Sequence, residues 1–111
     1  TANVVESNEP LAYYVSLTLL KHKFLNPYYL NACLSSSAVT EDIWHRTLHI
    51  AFPKKINMYE IKRIAIPFPN INEQTKIGSY FQNLDKLISL QQKKIDKLKN
   101  IKKACLEKMF V

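Results

Sequence analysis

Glycine is nearly missing from this chain: there is one in 111 residues, at position 78. That excludes the glycine-rich turns that cradle phosphates or dinucleotides, because such turns need several residues whose backbone can approach a ligand closely. No cofactor is expected. Cysteine is scarce as well, with only Cys33 and Cys105, far apart and without metal-like spacing. A disulfide framework and a cysteine-based zinc site are both excluded, and the two read as free buried thiols in a reducing cytoplasm. Apolar runs are short and interrupted, so neither a secretory leader nor a membrane span is expected. Acidic residues are in deficit: 9 Asp and Glu face 16 Lys and Arg, for a net charge of +7. That balance favours an acidic partner, with nucleic acid first. The opening, TANVVESNEP, lacks methionine and reads like the middle of something, either a fragment or an unusually short form.

What the chain does have is 47% hydrophobic residues, enough for one domain with a real core. Its last third, Asn70 to Val111, reads as one long helix. Ile77, Phe81, Leu84, Ile88, Ile95 and Leu98 recur at alternating steps of four and three, with Gln91 in the one gap. This is a heptad seam, and a stripe so narrow needs a partner helix to bury it. A run from Glu73 to Met109 would span on the order of 55 Å at about 1.5 Å per residue. Pro67 and Pro69 end whatever precedes it, and Asn70 with Glu73 forms a capping-box-like pair, Asn72 being a rival cap. After Leu98 the apolar positions shift to Ile101, Cys105 and Met109, and Lys102 occupies the seam. Seven lysines follow Gln91 against only Asp96 and Glu107, which on composition alone is a solvated helix face.

The earlier part alternates elements. Leu11 to Lys23 is rich in β-branched and aromatic residues and reads as a strand. Asn26 and Pro27 open a short helix through Leu34, ended by Ser35 to Ser37. Thr40 is expected to cap a short turn with Trp44 as its buried anchor. Thr47 to Phe52 and Ile64 to Pro67 read as strands, and Asn57 as the cap of a short helix through Arg63. The expected fold class is therefore α+β: a small unit over residues 1–69, then a long helix over 70–111. No internal repeat is evident.

Catalytic candidates are weak. Asn26-Pro27-Tyr28-Tyr29 resembles the Asn-Pro-Pro-Tyr motif of adenine-N6 methyltransferases. Here the second proline is tyrosine and the glycine-rich cofactor turn is lacking, so the string reads as a helix start. His45 and His49 have i, i+4 spacing but no acidic residue between them in the metalloprotease pattern, and a strand is expected from Thr47, so no metal site is expected. Nothing local pairs Cys33 with a base. What remains is a basic loop set. Arg46, His49 and Asn57 can read base edges, Lys54 and Lys55 can neutralise phosphate, and Ser36 and Thr40 can add phosphate contacts. The plain alternative is ordinary surface loops.

From Ile64 the residues resemble a known family. Ile66-Pro67-Phe68-Pro69, Glu73-Gln74, Ile77, Phe81, Leu84-Asp85, Ile88, Ile95, Leu98 and Lys108-Met109-Phe110 resemble the specificity subunit of type I restriction–modification systems. Asn26 to Leu30 followed by Leu34-Ser35-Ser36 resembles that family's late-domain helix. The resemblance implies a non-catalytic reader of double-stranded DNA, with two recognition domains held apart by two antiparallel helices that also dock methyltransferase and restriction subunits. It implies that Ile77, Phe81, Leu84, Ile88, Ile95 and Leu98 face a partner helix. This chain departs from the family in having one such helix and about half a recognition domain, and its Ala38-Val39-Thr40-Glu41 stretch lacks the family's glycine. A single helix must pair with its own copy or a missing chain, and a two-fold homodimer would restore the family's symmetry. The contrasting expectation is a coiled-coil protein-interaction module without DNA binding.

Overall fold

The protein is described from a computed structural model covering residues 1–50 and 52–110. Its element order is α1 (Pro27–Ser35), α2 (Ser37–Arg46), α3 (Met58–Ile61) and α4 (Ile71–Met109). The chain divides into two compact units, Thr1–Ser79 and Tyr80–Val111.

The α+β expectation is overturned: no strand forms among the described residues. A single antiparallel bridge, Leu48 to Lys55, is all the β pairing there is among them. The expected strand over Leu11 to Lys23 is instead irregular, broken by a turn in which the Leu17 N–H donates to the Tyr14 carbonyl at 2.9 Å. Ile64 to Pro67 is extended but unpaired. The third candidate, Thr47 to Phe52, includes Ala51, which lies outside the described residues, as does Val111 at the expected helix end. The physical reason is common to all three. β-propensity reports how a side chain fits a pleated, half-buried surface, and without a neighbouring ladder it does not make a strand. Pro53, Pro67 and Pro69 also withhold the N–H groups that a ladder requires.

The helices fall where the local signals put them. Asn26 is extended and its Oδ1 accepts from the Tyr28 and Tyr29 N–H groups at 3.0 and 3.1 Å, with Pro27 at the first helical position. This string is a helix start. Ser36 is the hinge between α1 and α2. Its N–H donates to the Cys33 carbonyl, closing α1, and its Oγ accepts from Val39 N–H, opening α2. Ser36, not Thr40, is thus the cap, and α2 starts earlier than expected because a serine in the extended region satisfies both helix ends at once. Asn57 caps α3 by position, without a side-chain hydrogen bond. Asn70 wins over Asn72 at the start of α4, its Oδ1 accepting from Glu73 N–H at 2.9 Å.

The buried set of the first unit is small and partly polar. Among the described residues it comprises Tyr29, Val39, Gln74 and Gly78. The sequence promised a larger core and a buried Trp44; Trp44 is instead more than half exposed, and Cys105 is exposed too. Gln74, only 1% exposed, organises the packing. Its Oε1 accepts from Asn26 N–H, and its Nε2 donates to the Pro69 carbonyl, each at 2.9 Å. Tyr29 Oη donates to the Pro67 carbonyl at 2.8 Å. Burial, with the Cys33 thiol nearby, pushes the Tyr29 phenol up to about 12. Gly78 lets the helices meet. A Cβ there would lie 2.9 Å from both Asn26 Oδ1 and Tyr29 N, so α1 docks on the first turns of α4 only because that carbon is absent.

The second unit is one helix carrying no cover of its own. Leu84, Ile88, Ile95 and Leu98 are all exposed. It also holds a repeat that the heptad reading passed over. Leu84-Asp85-Lys86-Leu87, Ile95-Asp96-Lys97-Leu98 and Leu106-Glu107-Lys108-Met109 are one pattern, apolar–acid–lysine–apolar, recurring every eleven residues.

Candidate nucleic-acid interface

The basic cluster of the first unit is built on the end of α2, the segment after it and α3. Residues 48–55 form a loop whose base is pinched by the Leu48–Lys55 bridge, with N–H to carbonyl distances of 2.7 and 3.5 Å. A cis peptide joins Phe52 to Pro53 in this loop. Beside it stands Trp44. Lys54 Nζ lies 4.1 Å from the indole centroid, a cation–π arrangement. The His49 ring sits 4.3 Å from it, tilted. His49 Nε2 is 2.9 Å from the Trp44 carbonyl, which can only accept, so this nitrogen carries the proton. Trp44 is therefore a platform that holds Lys54 and His49 close together at the surface.

Arg46 is placed differently. Its Nε is 2.8 Å from Asp42 and its Nη1 is 3.0 Å from Glu60, tying α2 to α3. Both carboxylates raise the pKa of the guanidinium, Asp42 first. Glu60 also meets Arg63 at 3.7 Å, and the Arg63 guanidinium lies 5.4 Å from the Tyr59 ring. Two of the cluster's cations thus share one carboxylate, while Lys54, Lys55 and Lys62 lie exposed.

The other expected contacts scatter over the unit. Ser36 is half of the α1–α2 hinge. Thr40 Oγ1 donates to the Leu34 carbonyl at 3.4 Å. Asn57 is exposed, its side chain not engaged in capping. The structure thus brings His49 and Lys54 together around Trp44, with Lys55 at the base of the same loop, and uses Arg46 and Ser36 in holding the scaffold. His45 pairs with Glu41 at 3.8 Å, and since α2 ends at Arg46, the i, i+4 spacing of His45 and His49 does not lie on one helix. Among the described residues no three metal-ligating side chains converge. Nor, among them, is any helix long and apolar enough to cross a membrane. Sequence reading missed the Trp44 platform, and nothing local in the sequence signalled it. Gln74 and Gly78 did carry a signal: a glycine inside a strong helix pattern marks a close approach.

Residues 3–100 match the family described as type I restriction modification DNA specificity domain, and the chain belongs to that family. It is 30% identical over 86 residues to a putative type I restriction enzyme MjaX specificity subunit of Methanocaldococcus jannaschii, an alignment covering 78% of this chain and 20% of the relative. The chain thus spans about a fifth of the length of that curated relative. No solved structure matches it.

Proposed function

We propose that this chain is a non-catalytic DNA-reading part of a cytoplasmic type I restriction–modification complex, directing methylation and cleavage by partner subunits. Residues 1–69 read DNA, and residues 70–111 space the reader and dock its partners. The observation that carries this reading is the family match along residues 3–100, joined to the Trp44-supported basic loop. Lys54 and Lys55 neutralise phosphates, which makes affinity fall with salt through counterion release. His49 and Asn57 reach base edges, and Thr40 and Ser36 lie nearer the backbone. Arg46, held by two carboxylates, acts by fixing the loop in place. On α4, Ile77, Phe81, Leu84, Ile88, Ile95 and Leu98 pack against a partner helix, which in the isolated chain is a second copy. Methyltransferase and restriction subunits assemble on the paired helices.

The test is fluorescence anisotropy of mixed-sequence duplex DNA titrated with the full chain across a salt series. Binding that weakens steeply with salt is expected. No binding even at low salt would leave the helix as the functional part and favour a protein-interaction module.

A further inference from the structure

The eleven-residue repeat of α4 specifies more than a sticky face. Eleven residues make almost three whole turns, so equivalent side chains lie nearly in line along the helix. Leu84, Ile95 and Leu106 form one rail, and Leu87, Leu98 and Met109 a second beside it. All six are exposed, from 37% at Leu84 to 76% at Met109. The heptad seam stops at Leu98 because a four-residue step follows it. Allowing that step carries the strip through Lys102 to Leu106 and Met109. The strip then has two polar positions, Gln91 and Lys102, which are equivalents eleven residues apart.

These two positions select a register. With two copies parallel and in step, Lys102 faces Lys102 of the other copy at the centre of an apolar strip, a like-charge contact in a drying interface. With two copies antiparallel, and the first repeat of one against the third of the other, every strip position from Leu84 to Met109 finds its opposite number within the strip. Leu84 meets Met109, Ile95 meets Leu98, and Gln91 meets Lys102, whose ammonium donates to the Gln91 amide oxygen. A polar pair matched in this way sets register, because any other alignment leaves it facing apolar side chains or its own like. An antiparallel alignment shifted by one repeat also matches apolar with apolar, but it leaves Leu106 and Met109 uncovered in favour of Ile77, which is already half-buried within the first unit.

Building on the helix pairing proposed above, we infer that α4 takes a second α4, antiparallel, in the one register that sets Gln91 of each copy against Lys102 of the other. In this register Leu87 of one copy lies on the same side of the interface as Cys105 of the other.

The experiment is disulfide trapping in the full chain with Cys33→Ser, under mild copper oxidation. Leu87→Cys, retaining Cys105, is expected to become mostly a covalent dimer. Gln91→Cys with Cys105→Ser is expected to stay uncrosslinked, because Gln91 faces Lys102 and not itself. Crosslinking of Gln91→Cys to itself would overturn the register, since the parallel and the shifted antiparallel arrangements both bring the two copies of residue 91 together. Sedimentation of the uncrosslinked chain separates the two readings. A dimer that does not trap through Leu87→Cys overturns the register alone, whereas a monomer at all concentrations overturns the pairing itself.

Discussion

The two units of this chain are stabilised by different kinds of contact. Thr1–Ser79 is held by a few specific polar joints around Gln74, Tyr29 and Gly78, each with its partners inside the unit. Tyr80–Val111 has a continuous helical backbone and an apolar strip with nothing of its own to bury it. The first unit carries its own packing instructions. The second carries instructions for a partner, because an isolated helix gains most of its stability from the face it packs. This difference fits a reader and a docking strut, and it predicts that substitutions in the two units fail in different assays.

The largest effect is expected on the helix. Leu84→Asp places a charge in the centre of the strip and should abolish self-association in sedimentation. The fold of the first unit should be untouched, as read by fluorescence of Trp44, the chain's one tryptophan. A variant that still sediments as the wild type does would dismiss the seam. Next in size is Gln74→Ala. It leaves the Asn26 N–H and the Pro69 carbonyl without their partner, and orphaned groups of this kind cost about 1–3 kcal/mol each. Urea unfolding followed at Trp44 should lose roughly 2–4 kcal/mol, with self-association unchanged. A loss confined to self-association would erase the distinction between the units.

Gly78→Ala sharpens the comparison by setting two known quantities against each other. Alanine gains about 1 kcal/mol of helix propensity over glycine. At this position its Cβ would press on Tyr29 N, a backbone atom that cannot step aside, and overpacking of that kind costs about 1–3 kcal/mol. Net destabilisation is expected, where Ser89→Ala on the exposed part of the same helix should be neutral or slightly stabilising. A stabilised Gly78→Ala would mean that α1 does not rest on α4 as described.

The helices were legible because their signals are local. Asn26-Pro27 and Asn70 with Glu73 are caps that work within one turn, and the long helix follows from spacing alone. The strands were illegible because a strand is a relation between two segments, and the β-like composition of Leu11 to Lys23 says nothing of whether a neighbour is present. The candidate interface was half legible. Lys54 and Lys55 were visible as charge, but the ion pairs of Arg46 require knowing that Asp42 and Glu60 approach it from two helices. The eleven-residue repeat lay in plain view, hidden by a seven-residue template that fits its first two units well.

Smaller still is the expected effect of Lys54→Ala combined with Lys55→Ala. If each lysine neutralises one phosphate, the salt dependence of DNA binding should flatten by about two units of slope, roughly one per residue, nearly uniformly across sequences. Folding should be unaltered, since both side chains are exposed. An unchanged slope would remove this loop from the phosphate contacts.

The smallest effect is a pH dependence confined to the first unit. The Tyr29 phenol is raised to about 12 from 10.0, chiefly by burial. Below pH 10 the phenol is protonated in both folded and unfolded chains, and the shift contributes nothing that varies with pH. Between 10 and 12 the unfolded chain releases the proton while the folded one retains it, so stability declines as pH rises through that window. The lysines deprotonate there too, and comparison with Tyr29→Phe cancels them. At neutral pH that variant should be less stable by about 0.5–1.5 kcal/mol, the net worth of the hydrogen bond to the Pro67 carbonyl. Above pH 10 the gap should narrow, since phenylalanine has no proton to lose in the unfolded state. A gap that stays constant to pH 11.5 would place the Tyr29 hydroxyl in water, and the polar joint of the first unit would then rest on Gln74 alone.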